Sequence, residues 1–282
     1  MIDTNKAKSS VNMMCRLLSV SRSEYYHRQR RGPSARKRAN EQLLPRIQAV
    51  FDAEKQRAGA LRITKQLHED GHRVGRNRVA KIMQENGIVA KAAKKYKATT
   101  NSKHNLPVAP NLLEQNFEAE KPDQKYVADI TYIWTEAGWL YLAVVMDLYS
   151  RMVVGWAMAE RMTSALVCDA LEMALWRRKR PCGVIVHSDR GSQYCSRDYQ
   201  KLLRENDLIC SMSKKGDCYD NAAMESWNHS FKVEAIHGEK FVTREQAKTQ
   251  VFEYIEIYYN RSRRHSKLGY LSPEAYEAKQ AA

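Results

Sequence analysis

The sequence predicts an all-α first part and an α/β second part. Three observations carry this. Apolar residues recur at helical spacing up to about residue 90, and after Pro122 they give way to β-branched and aromatic runs. Those runs follow the order of three strands, a helix, a strand, a helix, a strand and then helices, which is an α/β order. Charge divides at the same place. Of the 47 Lys/Arg and 32 Asp/Glu, residues 1–121 hold 25 and 11, a net of +14, and residues 122–282 hold 22 and 21, a net of +1.

The elements follow in order. Val11, Met14, Leu17 and Leu18 predict a short helix over 10–18. Ser21, with Glu24 three residues later, reads as the cap of a second helix. Such a pair fits a helix-turn-helix or a plain helical hairpin. The basic run RQRRGPSARKR reads as an exposed linker, and a longer helix then spans about 40–55, with Pro45 in its first turn or bending it. A second helix pair covers about 61–69 and 76–86, punctuated by Gly71 and Gly75 and ended by Gly87. Val79, Ile82 and Met83 should face a core there. Arg76, Arg78 and Lys81 are then left for phosphates or base edges, or form only a solvated basic face. Residues 91–122, with Pro107, Pro110 and Pro122, read as a linker.

Beyond it, 125–134, 138–148 and 152–159 are three consecutive strands, the first two joined as a hairpin around TEAG. Thr163–Trp176 is an amphipathic helix, 183–187 a buried strand, 196–206 a helix and 208–212 a fifth strand. Helices cover about 222–236 and 244–260, and Ser272-Pro273-Glu274 opens a last short one. The fourth strand is reached by a helical crossover, so it should lie parallel to an earlier strand. If that strand is the first, Asp129 and Asp189 become neighbours.

Three acidic residues stand out in these surroundings. Asp129 lies inside YVADITYIW, Asp189 ends GVIVHSD, and Glu225 opens the helical NAAMESWNHSFKVE. Carboxylates beside apolar strands are costly unless a cation compensates, and Mg²⁺ suits such oxygen ligands. Two Mg²⁺ ions would serve phosphodiester chemistry, which requires an activated oxygen, a stabilised leaving oxygen and neutralised phosphate charge. Each residue also has a plain reading: an exposed strand position for Asp129, a turn start for Asp189, an exposed helix position for Glu225. Asp147 reads as a strand end, and Asp220 or Asn221 as the cap of the Glu225 helix. Lys232, two turns beyond Glu225, would reach a phosphate or simply be solvated. GDCYDNA reads as a polar active-site flap. Arg263 and Arg264 in YYNRSRRHSK suit DNA contact or a capped helix C-terminus.

Composition narrows the classes. The net charge of +15 and its concentration in the first part point to nucleic acid. Hydrophobic residues, 43%, suffice for a core. Six scattered cysteines without a C-x-x-C pair, and histidines without an H-x-x-x-H pair, argue against a zinc module. No leader-like h-region or membrane-length apolar run is found, so a reducing cytoplasm is expected.

DITYIWTEAGWLYLAVVMDLYSR, HSDRGSQYCS, SMSKKGDCYDNAAMESW and YYNRSRRHSKLGYLSP resemble the OrfB transposases of the insertion-sequence-three family over at least 122–278. LRITKQLHEDGHRVGRNRVAKIMQENGI resembles their preceding DNA-binding part. The resemblance implies a ribonuclease-H-like integrase catalytic core over 123–282, preceded by an all-α DNA-binding region. That region would hold a helix-turn-helix over 1–32 and a second within 33–90, with 91–122 as linker. It implies Asp129, Asp189 and Glu225 as the catalytic, metal-binding triad, Mn²⁺ substituting for Mg²⁺, and Lys232 as the basic residue following the Glu. The implied partners are double-stranded DNA (terminal inverted repeats and target), an upstream OrfA product fused or separate, and further copies of the chain in a synapse at the bacterial nucleoid. Tyr126, Ala58 and Trp227 depart from the family's frequent Trp, Tyr and Phe, and Ala58 puts packing of the second helix pair in question. Two rival activities are a DNA-end-binding regulator with little catalysis and a ribonuclease-H-like nuclease that only hydrolyses.

Overall fold

The computed structural model describes residues 2–5, 7, 9–30, 32–91, 107–214 and 218–281. The chain divides into two compact units, 1–90 and 91–282.

The first unit is helical. Helices α1 (Ile2–Asn5), α2 (Val11–Leu17) and α3 (Arg22–Arg30) enclose a small core of Ile2, Met14, Cys15 and Tyr25. Ser10 Oγ accepts from the Met13 amide, and Ser21 Oγ accepts from the Glu24 amide at 3.0 Å, the expected cap. Leu17 and Leu18 are exposed rather than packed, because a two-turn helix offers its neighbour only one narrow stripe, here Met14 and Cys15. The basic run is not a linker throughout. Helix α3 extends to Arg30 and α4 (Ala35–Ala53) starts at the Ser34 cap, whose Oγ accepts from the Lys37 amide. Pro45 therefore lies inside α4, not in its first turn.

Helices α4, α5 (Ala60–Glu69) and α6 (Arg76–Glu85) share a second core built on Ile47, Phe51, Ile63, Leu67, Val79, Ile82 and Met83. Ala58 is fully buried in it, so the smaller side chain is accommodated by close packing. Gly87 ends α6 at φ +66°, a conformation open to glycine without strain.

The second unit is a three-layer sandwich about a five-stranded sheet. Strands β1 (Lys125–Thr135), β2 (Gly138–Asp147) and β3 (Val153–Ala159) are antiparallel neighbours. β4 (Ile185–Ser188) and β5 (Ile209–Met212) continue on the other side of β1 in parallel, giving the order β3-β2-β1-β4-β5. Helix α7 (Ser164–Arg177) buries Leu166, Val167, Ala170, Leu171, Ala174 and Leu175 against one sheet face, beside α8 (Arg197–Glu205). Gly155 permits the approach: a Cβ there would meet the Ala170 carbonyl at 2.1 Å.

The other face packs against α9 (Ala222–Phe231) and α10 (Arg244–Phe252) through Val127, Ile133, Trp227, Phe231, Val251 and Tyr254. Both helices continue as π-helical turns, Lys232–Ile236 and Glu253–Tyr259, where uniform helices to about 236 and 260 were expected. The Tyr254 hydroxyl donates to Glu234 at 2.9 Å, tying one π turn to the other. Trp227 stacks on Phe231 at 5.2 Å, and Tyr126 lies in the opposite core. Helix α11 (Pro273–Ala281) starts at the expected Ser272 cap.

From residue 107 the expected linker belongs to this unit. Leu113 is buried in the core, and the Leu112 amide donates to Ser211 Oγ on β5. An apolar side chain and backbone donors next to an open sheet edge gain more by docking there than by staying in water. Residues 92–106 lie outside the described residues.

Candidate active site

The parallel register sets the site. Lys125, Tyr126 and Val127 pair with Ile185, Val186 and His187, a constant offset of 60 (185 − 125). Continued two residues, it brings Asp129 opposite Asp189. Adjacent strands lie about 4.8 Å apart, so two carboxylates distant in sequence become neighbours, Asp129 midway along β1 and Asp189 just past the carboxyl end of β4.

Helix α9 supplies the third carboxylate. Asn228 Nδ2 donates to Asp129 Oδ2 at 2.8 Å, and Asn221 Nδ2 donates to the Ala128 carbonyl at 3.3 Å. The helix is thus pinned beside Asp129 at two points. Glu225 lies one turn before Asn228, on the same helix face. The other Asp129 oxygen accepts from the Ile130 amide, and Asp189 Oδ1 accepts from the Gly191 amide, each at 2.8 Å. The turn role of Asp189 is therefore real as well.

The electrostatics record this convergence. Burial pushes the Asp129 carboxyl up to about 7, and the Asp189 charge adds to it. The bonds from Ile130 and Asn228 work downward, and the Glu225 charge upward. Asp129 and Asp189 are half-buried, and Glu225 is exposed. Among the described residues no three Asp, Glu, His or Cys side chains are gathered closely enough to hold a metal ion. The donor set is still of the right chemistry. It consists of hard carboxylate oxygens, of which those of Asp189 and Glu225 both raise Asp129 by their charge, with Glu225 on an exposed side chain.

Lys232 Nζ donates to the Tyr132 carbonyl and lies 4.9 Å from the Tyr132 ring centroid. Burial lowers its ammonium to about 8. His187, beside Asp189 in sequence, is buried between Ser211 Oγ (2.8 Å) and Ser213 Oγ (3.2 Å). Burial lowers it to about 4 despite the nearby Asp220, so the ring is neutral and structural.

Two expected DNA contacts change. Arg263 is not available to DNA: it is buried, with Nε 2.7 Å and Nη2 2.8 Å from the two oxygens of Glu234, and Nη2 also reaches Ser230 Oγ. The run of basic residues concealed this because its partner lies 29 residues earlier, on a π turn. Arg264 is half-buried and donates to the Tyr270 carbonyl at 3.3 Å, so it braces its own loop. On α6, Arg76 and Lys81 are exposed. Lys81 lies 3.7 Å from Glu85, and Arg78 Nε donates to Asn40 Oδ1 on α4.

Neither candidate cap of α9 acts as one. Asn221 makes no side-chain capping bond. Asp220 is buried and instead accepts from the Lys214 amide (2.7 Å) and Asn111 Nδ2 (2.9 Å), clamping segment 107–115 to the loop before α9. Residues 216 and 217 of the expected flap lie outside the described residues. Asp147 is more than a strand end: it is buried 3.6 Å from Arg178 and accepts from the Asp123 and Tyr149 amides. Sequence reading missed Asn228. The spacing of Glu225 and Asn228 on one helix face was the available signal.

Comparison with known proteins agrees with this fold. Integrase core domain families match residues 119–218 and 225–280, and an HTH-like domain matches 38–96. The second unit is thus the integrase core of a polynucleotidyl transferase, with a helix-turn-helix-like region before it. The chain is 51% identical over its whole length to the transposase InsF for insertion sequence IS3A of Escherichia coli (strain K12), covering 98% of that protein. It is 47% identical over 94% of its length to the insertion element IS600 31 kDa protein of Shigella sonnei, again covering 98%. The chain belongs to the IS3 family of insertion-sequence transposases.

Among solved structures, it is similar to a simian T-cell lymphotropic virus intasome in complex with PP2A regulatory subunit B56 gamma. That match has a TM-score of 0.43 and 13% identity, over 82% of this chain and 74% of the other. It is also similar to the HTLV-2 integrase catalytic core domain in complex with magnesium, at a TM-score of 0.40 and 14% identity, over 57% and 99%. Among the described residues no helix is long and apolar enough to cross a membrane.

Proposed function

We propose that this chain is the DNA-cutting and joining subunit of its insertion sequence. It cleaves at the element's ends to free a 3′-OH, and that oxygen attacks a target phosphodiester in line. The observation that carries this is the β1–β4 register, which sets Asp129 opposite Asp189 beside the helix holding Glu225.

Asp129, Asp189 and Glu225 would hold two Mg²⁺ ions, with Mn²⁺ as a substitute. When bound, these supply charge neutralisation at the phosphate and activation of the attacking oxygen. The chain's own residues do the rest. Asn228 fixes the Asp129 carboxylate, leaving its rotamer little freedom. The Gly191 amide orients Asp189. Lys232, at the end of α9, puts a cation where a phosphate would approach. Arg76 and Lys81 on α6, with Arg78 braced by Asn40, meet the duplex through its backbone.

DNA ends must be held in pairs, so copies of this chain assemble in the synapse. An upstream OrfA product, fused or separate, contributes to recognition of the terminal repeats. The working compartment is the bacterial cytoplasm at the nucleoid.

The test uses precut DNA ends, target DNA and Mg²⁺ or Mn²⁺. Joined products are expected, and Asp189→Asn abolishes them while largely sparing DNA binding. Shortened strands without joined ones would indicate a nuclease. Shifted but unchanged DNA would indicate an end-binding regulator. Normal joining by Asp189→Asn would overturn the assignment of the acidic set.

A further inference from the structure

The β1–β2 hairpin carries an aromatic group beyond the acidic site. Trp134 and Trp139 face each other across the antiparallel register, with ring centroids 4.8 Å apart, edge to face. Tyr132 closes on Trp139 at 5.1 Å. Trp134 is 59% exposed and Trp139 43%. Two open indoles side by side mark an interaction surface rather than a core.

Three observations indicate the occupant. Position is the first. A strand rises about 3.3 Å per residue, so Tyr132 lies about 10 Å and Trp134 about 17 Å along β1 from Asp129. Side chains alternate between faces along a strand, so Tyr132 and Trp134 lie across the sheet from Asp129. A flanking strand reaches them over the β1 edge, which β4 pairs only as far as Val127 and which Lys232 crosses from the end of α9 to the Tyr132 ring. Charge is the second. Lys232 lies over the Tyr132 ring, and Arg244 Nε donates to the Trp139 carbonyl at 3.2 Å. Glu160 lies 3.1 Å from Arg244 Nη1 and Glu136 is exposed in the turn, so Arg244 shares its charge with an acid while Lys232 stands directly over an aromatic ring. Size is the third. Two half-exposed indoles offer roughly 200 Å², far below the ~800 Å² per partner of a stable protein interface. One or two base faces fit that area.

We propose that Trp134 and Trp139 form a stacking platform for an unpaired base in the strand flanking the scissile phosphate, with Lys232 and Arg244 steering its backbone. The base must be unpaired because its π face is hidden inside a duplex. Stacking on an indole needs no particular base, so the platform holds the flank without reading its sequence. This inference rests on the transposase reading above and deepens it.

The test compares binding of the full chain, in EDTA, to a fully paired duplex and to the same duplex with a three-nucleotide unpaired flank carrying 2-aminopurine. The flank should tighten binding about tenfold per stacked base, and the 2-aminopurine fluorescence should be quenched. Trp134→Ala with Trp139→Ala should remove both effects and leave paired-duplex binding unchanged. Trp134→Phe with Trp139→Phe should restore most of the preference, which excludes misfolding as the cause. A flank preference that is absent in the parent chain, or that survives the double alanine variant, overturns the proposal. So does a double variant that changes only the oligomeric mass in light scattering, since the indoles would then cover a protein contact. No chemistry is read in EDTA, so this outcome is independent of the joining assay that tests the acidic set.

Discussion

Replacing Arg263 with Ala separates a structural role from a DNA-binding one. In the folded chain the guanidinium makes two bonds to Glu234, one to Ser230, and lies 5.6 Å from the Tyr259 ring centroid. Both members of the ion pair are only 8% exposed. Removing the cation strands a buried carboxylate, to which the Tyr254 hydroxyl still donates. Breaking a buried pair in this way costs about 3–5 kcal/mol, or roughly 6–20 °C in Tm for a unit of this size. All five tryptophans lie at 134 or beyond, so their fluorescence during urea unfolding follows the second unit alone. Glu234→Gln on top of Arg263→Ala should recover a good part of the loss, because the stranded group is then neutral. A stability change below about 1 kcal/mol, together with a shallower salt dependence of DNA binding, would refute the reasoning and return Arg263 to the DNA surface.

Other outcomes follow from the same structure. Gly155→Ala should destabilise the second unit by about 3 kcal/mol or more, since its Cβ meets backbone atoms of α7 at 2.1 and 2.7 Å; a change under 1 kcal/mol in the same urea assay would show that the helix moves away freely. Burial raises Asp147 to about 6, with bonds from the Asp123 and Tyr149 amides and then the Arg178 charge opposing the rise. Arg178 is itself shifted upward, chiefly through Glu277 at 2.5 Å, so it serves Asp147 only in part. A raised carboxyl contributes stability at low pH that is lost as pH rises through about 6. Asp147→Asn should therefore flatten the stability profile between pH 4 and 7 by an amount on the order of 3 kcal/mol, and an unchanged profile would contradict this. Arg76→Ala and Lys81→Ala should each lower the slope of log affinity against log salt by about 1 without changing stability; an unchanged slope would make α6 merely a solvated basic face.

Much of the fold was legible from periodicity. The alternation in 125–159 and the stripe of Leu166, Val167, Ala170, Leu171, Ala174 and Leu175 specify strands and helix because one face of each must be buried. Helix starts at Ser21 and Ser272 were legible because capping is local chemistry. The π turns after Phe231 and Phe252 were not, because an added residue in a turn alters contacts between elements while the apolar spacing stays helical. Likewise, nothing within 107–115 announces that Asn111 will be held by Asp220, over a hundred residues later.

The candidate site divides the same way. By itself the chain determined that three carboxylates would sit inside a strand, at a strand end and on a helix, since acidic residues among apolar neighbours stand out locally. It also determined that a basic helical part would precede them. Only the tertiary structure decided that β4 lies parallel to β1 with an offset of 60, which makes Asp129 and Asp189 neighbours, and that Asn228 ties the Glu225 helix to them. It also decided that Arg263 is a buried counterion, because burial and pairing depend on which distant segments pack together, and spacing along one segment carries no information about that.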